Sequence, residues 1–403
     1  MSALDTTTRP RWRNWAGNER CVPERSVRPT SEAEIAAVVR DAFVRGGHVK
    51  TAGSGHSFTP LVVTEDVLVD LSRYRQVLAV DERARTVTVQ AGITLRRLNR
   101  ELARRGLALE NLGDIAYQTV AGAISTGTHG TGLGFGILST QVVAMRLVLG
   151  TGQVVECSAH QNPKLFRVAR VGVGAFGLIS TVTLRCVPAF RLHTVEEPRR
   201  VDEVMAAWPD LLAEHDHFEL FWIPRTAWAV TKAHRRTDEP ARPRPLHRQL
   251  RDDVLLDNLA LGVLATVSRV RNDRVPQVAK ALPSKGRVEY VDRSDRVFTT
   301  PRWVRFVEME QAIPVEAVPE ALGRVRALCE ELGDHRSFGV EVRAAAADDI
   351  PLSPAHGRPT GYISVHATSG EPFQRYFRGV EAIVADYDAR PHWGCLLYTS
   401  RCV

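Results

Sequence analysis

The run Gly53-Ser54-Gly55-His56-Ser57 sets one imidazole among small residues. Small residues on both sides let consecutive backbone N–H groups turn inward as an anion-binding nest, and hold the histidine against whatever binds there. A second segment makes similar demands: seven of the chain's 29 glycines fall between residues 113 and 136. Glycine lets a ligand approach the main chain closely, and two such loops can clamp a diphosphate. A literal GxGxxG also occurs at Gly172-Val173-Gly174-Ala175-Phe176-Gly177. The Rossmann fingerprint needs a helix to open after the glycines, so that pyrophosphate meets a helix N-terminus. Here the β-branched alternation of Leu178 to Val187 predicts a strand, which rules that reading out. His215-Asp216-His217 has no third ligand group at useful spacing, so no metal site is assigned. No Ser-His-Asp arrangement has a supporting GxSxG.

The elements that position these loops follow from local patterns. Ser31 to Arg45 opens with a serine cap, carries Glu34 three residues on and continues with helical apolar spacing. His48 to Ala52 predicts a short strand leading into the Gly53 loop; Val67 to Leu71 and Thr86 to Gln90 predict two more. Thr94 to Arg105 reads as a helix stopped by Gly106. Val142 to Leu149 and Val154 to Cys157 flank Thr151-Gly152 as a hairpin. Farther on, Val201 to His215 is a helix candidate and Phe218 to Ile223 a strand. The Arg- and Pro-rich stretch Arg235 to Asp253 reads as a solvated linker or surface excursion. The second domain resumes near Val254.

Composition bounds the classes. The chain has 403 residues, 44% hydrophobic and 25% charged, with net charge +7. That is ordinary for a globular protein and long enough for two to three domains at ~150 residues each. Positive charge is spread along the chain and Arg235 to Asp253 lacks interleaved aromatics, so no nucleic-acid partner is expected. No stretch of 18 or more apolar residues occurs, which excludes a membrane-spanning helix but leaves peripheral association open. Six cysteines without CxxC pairs, and no basic-then-apolar leader, point to a reduced cytoplasmic protein without structural zinc.

Three motifs in order carry a family resemblance: Gly53 to Ser57, Thr119-Val120-Ala121-Gly122-Ala123-Ile124-Ser125-Thr126-Gly127-Thr128-His129-Gly130-Thr131-Gly132, and Gly174-Ala175-Phe176-Gly177-Leu178-Ile179. The chain resembles the vanillyl-alcohol-oxidase (PCMH-type) flavoproteins over about residues 15–394. Within them it is most similar to the sugar 1,4-lactone oxidase and dehydrogenase branch, with its alditol oxidase relatives. The implied fold is α+β in two domains: a PCMH-type FAD-binding domain over residues 17–188 and a substrate or cap domain over 189–394. The implied cofactor is FAD, attached covalently through His56.

The resemblance also assigns residues. Gly53, Ser54, Gly55, His56 and Ser57 would hold the cofactor with Gly113, Thr119, Gly122, Ser125, Gly127, Thr128, His129 and Gly130. Ile179 would lie near the adenine, and Arg343 and His392 near the flavin. Glu341-Val342-Arg343 matches an E-x-R pair on a strand, whose period-2 geometry puts both side chains on one face. Catalytic work falls to Glu341, Arg343 and His366, and substrate contact to Thr119 and Thr368. The implied reaction is hydride transfer from a CH–OH carbon of an L-gulono- or D-arabinono-1,4-lactone to flavin N5. Arg343 stabilises the charge that develops. Electrons then pass to O2 or to a cytochrome or dye. A polyol, as for an alditol oxidase, is the alternative substrate. Another alternative is a catalytically impaired flavin-binding protein, because the family's closing His-Trp-Gly-Lys reads His392-Trp393-Gly394-Cys395 here. Residues 395–403 are accordingly read as an atypical tail, spliced on or left by truncation.

Overall fold

Ser31 caps helix α1 (Glu32–Val44) by accepting the Glu34 N–H at 3.2 Å. The Glu34 carboxylate reaches back to the Thr30 N–H at 2.7 Å, one residue before the cap. The computed structural model describes residues 11–249, 262–263, 266–267, 286–300, 302–333 and 338–397. Short strands β1 (Trp12–Arg13) and β2 (Arg20–Cys21) pair at the start. Strands β3 (Arg25–Val27), β4 (Val49–Ala52) and β5 (Val67–Asp70) form a parallel sheet with β5 central. β5 reads Val-Leu-Val-Asp with its three apolar residues buried, as a central parallel strand requires.

An antiparallel sheet follows. Strands β6 (Val77–Asp81), β7 (Thr86–Gln90), β9 (Val142–Val148), β10 (Val154–Ser158) and β11 (Leu178–Arg185) lie in the order β10-β9-β11-β7-β6. Between them β8 (Leu107–Ala108) pairs with β12 (Val187–Pro188). The expected hairpin is β9–β10, and the strand expected after the GxGxxG is β11. Helix α2 (Leu95–Ala103) is capped by Thr94. Helix α1, α2 and the short α3 (Val120–Ser125) bury Ile35, Leu98 and Val120 in one apolar core with Val69, Val89 and Leu147.

The rest of the described chain builds one eight-stranded antiparallel sheet. Its strands are β13 (Arg191–Arg200), β14 (His217–Trp222), β15 (Trp228–Thr237), β16 (Val288–Arg293), β17 (Phe306–Pro314), β18 (Val340–Ala345), β19 (Thr360–Thr368) and β20 (Arg390–Pro391). Their order is β16-β13-β15-β14-β18-β19-β17-β20. All nine residues of β19 are buried. The helices Val318–Leu332 and Gln374–Ala385 share a second core with this sheet, which includes Trp208, Met309, Val325, Ile363 and Phe377.

Two expectations need correction. The helix expected over Val201 to His215 is two helices, Val201–Ala206 and Trp208–Glu214. Pro209 sits in the first turn of the second, where its missing N–H is tolerated, whereas mid-helix it would break the ladder. The stretch expected to be linker from Arg235 begins as the last three residues of β15. Arg236 N–H donates to Asp216 there, and the Arg235 side chain pairs with Glu214. The expected restart near Val254 lies outside the described residues, as does the tail beyond Leu397. Among the described residues no helix is long and apolar enough to cross a membrane.

The glycine-rich segment docks onto the large sheet. Gly132 N–H donates to Ala344 O at 2.7 Å, and Thr131 Oγ1 donates to Phe218 O at 2.5 Å. A side chain at Gly132, where φ is +121°, would put Cβ 2.2 Å from Asp216 O. One at Gly130 would lie 2.4 Å from Leu112 O. Part of the glycine density therefore serves close approach to the sheet.

Candidate active site

Two adjoining cavities share His56, Ser57, Gln118 and Thr126 in their walls. The larger, about 510 Å³, runs between the Gly53–Ser57 loop, α3 and the Val173–Ile179 loop. A Cβ on Gly53 would stand 2.3 Å from Thr119 Oγ1, so only glycine lets this loop pass α3. Thr119 caps α3 by accepting the Gly122 N–H at 3.3 Å. His56 is half-buried, its ring stacked on Trp15 with centroids 5.5 Å apart. Burial brings its imidazole down to about 4, leaving it neutral near pH 7.

The smaller cavity, about 110 Å³, holds the charged groups. Arg343 on β18 donates from Nε to Glu219 at 2.8 Å and from Nη2 to Glu341 at 2.6 Å. Glu219 on β14 also meets Lys232 Nζ on β15 at 3.0 Å, and Asp114 pairs with Arg302 at 2.9 Å. Burial disfavours charge on Arg343, but Glu341 and Glu219 outweigh it and hold the guanidinium cationic. Burial, with Glu219 and Asp114, raises the Glu341 carboxyl against the pull of Arg343.

Strand β17 brings in Glu308 and Glu310. Burial and the nearby carboxylates of Glu310 and Glu341 push Glu308 up to about 8. Burial opposes ionisation of Glu310 too, yet His129 and His392 keep it below the usual carboxylate range. His129 Nε2 meets Glu310 Oε1 at 2.8 Å, and the His129 ring stacks on Tyr362 at 3.6 Å. His366 on β19 faces Gly339 O through Nδ1 at 3.0 Å. A carbonyl only accepts, so Nδ1 carries the hydrogen and Nε2 presents its lone pair, 3.7 Å from Glu308 Oε1. Burial lowers His366 and His392 to about 4.

The expected site residues divide between the cavities. Gly53, Ser54, Gly55, His56, Ser57, Thr119, Gly122, Ser125 and Ile179 line the larger one. Gly113, Thr128, His129, Glu341, Arg343, His366 and His392 line the smaller, again with His56 and Ser57. Three lie in neither wall. Gly127 packs on Pro354, Gly130 is enclosed by Asn111 and Leu112, and the Thr368 hydroxyl donates to Glu371 at 3.0 Å. The trio Glu310, His392 and Cys395 brings three ligand-type atoms within 4.8 Å of one another. Glu310 is already bonded to His129, and His392 Nδ1 lies 3.2 Å from Cys395 Sγ. His217 bonds Thr131 O rather than a partner in its own triplet.

Asp114, Arg302, Glu308 and Glu310 in the cavity wall, with Glu219 and Lys232 behind it, are the charged residues of the site that local sequence reading misses. Glu308 and Glu310 left a usable signal, two carboxylates at strand period in the apolar run Phe306 to Pro314. A dinucleotide cofactor fits this arrangement. The larger cavity, about 510 Å³, is lined by seven glycines, among them Gly53, Gly55, Gly122 and Gly174, which leave its backbone open to a ligand. Gln118 Oε1 and Thr128 Oγ1, both in the walls, are buried polar atoms with no hydrogen-bond partner among the described residues.

Comparison with known proteins bears on the same regions. The family model for an FAD binding domain matches residues 23–158, and that for D-arabinono-1,4-lactone oxidase matches 182–400. The chain is 42% identical to L-gulono-1,4-lactone dehydrogenase of Mycobacterium tuberculosis over 96% of its own length and 89% of that protein. It is 33% identical to L-gulonolactone oxidase of Bos taurus, covering 95% and 88%. Among solved structures, cholesterol oxidase from B. sterolicum superposes with a TM-score of 0.76 at 16% identity, over 97% of this chain and 86% of that one. At that identity the likeness is one of fold. On the family match and the identity to its relatives, the chain belongs to the D-arabinono-1,4-lactone oxidase family of FAD-binding proteins.

Proposed function

We propose that this chain is an FAD-dependent oxidoreductase that oxidises a CH–OH carbon of an aldono-1,4-lactone of the L-gulono or D-arabinono type. The reading rests on one observation: a glycine-lined cavity that adjoins, across the shared wall residues His56 and Gln118, a pocket of Glu341, Arg343 and His366. Bound FAD supplies the hydride acceptor. The remaining chemistry belongs to the chain. Neutral His366 offers its Nε2 lone pair to the hydroxyl proton of the reacting carbon. Glu341 accepts hydrogen bonds from the other hydroxyls of the lactone. Arg343, fixed by two carboxylates, keeps a cation where negative charge develops. Neutral His56, at the junction of the cavities, is the residue that carries FAD covalently. Residues 17–188 form the cofactor half and 189–394 the substrate half, with electrons leaving to O2 or to a cytochrome or dye.

The test is the anaerobic visible spectrum of purified protein during titration with L-gulono-1,4-lactone, with xylitol in parallel. Bleaching of the flavin band by lactone is expected. Bleaching by xylitol alone would make the substrate an alditol, and a flavin band that neither bleaches would overturn the reading. Admitting air then identifies the acceptor: recovery in air means oxygen, and recovery only with cytochrome c or a dye means a dehydrogenase.

A further inference from the structure

Lys232, Glu219 and Arg343 stand in one row across three neighbouring strands. Glu219 and Lys232 are register partners between β14 and β15. The pairing of Leu220 with Val342 sets Glu219 beside Arg343 on β18. Each carboxylate oxygen of Glu219 has a separate partner: Oε1 meets Lys232 Nζ at 3.0 Å and Oε2 meets Arg343 Nε at 2.8 Å. Arg343 then spends Nη2 on Glu341, and among the described residues its Nη1 has no hydrogen-bond partner. Lys232 is directed at a buried carboxylate behind the pocket. Directly opposed unlike charges stabilise a strand pair only modestly.

We propose that Lys232 is a positioning residue: it acts through Glu219 to keep Arg343 a fixed cation that its two carboxylates do not cancel. The inference rests on the reading of this pocket as the flavin and lactone site. Without Lys232, Glu219 loses its second cation, and Arg343 is left as the one cation bonded to both Glu219 and Glu341. Glu219 is also freed to turn both oxygens onto the guanidinium, since carboxylate and guanidinium favour a bidentate fit. Either change takes positive character away from the pocket.

The same residue reaches Glu341. Around Glu341 stand Arg343 on its own strand, Glu219 on β14, Lys232 on β15, Asp114 with its partner Arg302, and Glu308 and Glu310 on β17. Arg343 and Lys232 favour its ionised form, while Glu219, Asp114 and Glu308 disfavour it. Removing Lys232 therefore moves Glu341 toward its protonated form.

The test uses the flavin-loaded protein and the variants Lys232→Met, Lys232→Gln, Lys232→Arg, Glu219→Gln and Lys232→Met/Glu219→Gln. The first readout is the flavin midpoint potential by dye equilibration, which needs no substrate. Lys232→Met and Lys232→Gln should each lower it, and Lys232→Arg should restore it. In the Glu219→Gln background the effect of losing Lys232 should shrink to less than half, as coupled residues require. The second readout is the pH profile of kcat/KM with L-gulono-1,4-lactone. Its acid limb should move up by about one pH unit when Lys232 is lost, the scale of one nearby opposite charge, with kcat/KM at pH 7 down about tenfold. Wild-type potential and pH profile in folded Lys232→Met or Lys232→Gln protein would overturn the proposal. So would strict additivity in the double variant. Wild-type protein that holds flavin but ignores lactone would instead overturn the functional reading, with the potential still deciding the role of Lys232.

Discussion

Arg343 is held by charge on two sides and left open on a third, which is the geometry a fixed electrostatic stabiliser needs. A lysine cannot reproduce it, because one ammonium has no planar fork to divide between Glu219 and Glu341. Arg343→Ala should slow flavin reduction by lactone by one to three orders of magnitude, roughly 2–4 kcal/mol for one lost charge stabiliser. Stopped-flow anaerobic mixing measures this directly, and unchanged kinetics would remove Arg343 from the site. His56 carries the other residue-scale prediction. Its ring is neutral and sits where the two cavities meet. His56→Ala protein, denatured in acid, should release all its flavin into the supernatant, whereas the parent retains colour in the pellet. Colour that stays with the denatured variant would place the attachment elsewhere. His56 stood out in the sequence by its unusual glycine setting, whereas Arg343 came only from the family resemblance at Glu341-Val342-Arg343. Glu219 and Lys232 were not legible, because neither has a charged partner at strand period within its own strand that points to the other. Only the register of β14 against β15 and β18 turns them into a row.

At the scale of elements, legibility tracked how local the determining interaction is. The β9–β10 hairpin and helices α1 and α2 depend on turns, caps and apolar spacing a few residues apart, and all were readable. The strand after the GxGxxG was readable for the same reason, and a strand there excludes a Rossmann turn. The glycine-rich segment shows the limit. Its composition signalled close approach, but not what approaches. Gly53 clears Thr119 beside the larger cavity, whereas Gly130 and Gly132 clear the loop at Leu112 and the end of the strand pair at Asp216. The single helix expected over residues 201–215 failed through Pro209, a local signal outweighed by the longer apolar period. Strand β17 went unread because its carboxylates face partners from distant segments: His129 for Glu310, His366 for Glu308.

Across the whole molecule, the seam between the glycine-rich segment and the large sheet is fastened partly by buried histidines. Across the seam His217 bonds Thr131 O and His392 packs edge-on against His129, while within the large-sheet half His234 faces Thr194 and His366 bonds Gly339 O. Burial brings His217, His366 and His392 to about 4 and His234 to about 3. In the unfolded chain each titrates near 6.5. As pH falls below that value the unfolded state takes up protons that the folded state refuses, so stability drops, by on the order of a few kcal/mol per group at the limit. Glu310 and Glu219, held below the carboxylate range when folded, add to the loss once pH falls through the unfolded carboxylate value near 4.5. Glu308 has the opposite sign. Raised to about 8 when folded, it contributes stability at low pH that is lost as pH rises through 8. Four histidines and two carboxylates outweigh one carboxyl, so stability should be greatest near neutrality and fall steeply between about pH 6.5 and 4. Denaturant midpoints measured across pH 8 to 4 check this. A midpoint that stays flat or rises through that window would mean that these histidines are already protonated in the folded protein. The seam would then be held by charge rather than by neutral hydrogen bonds.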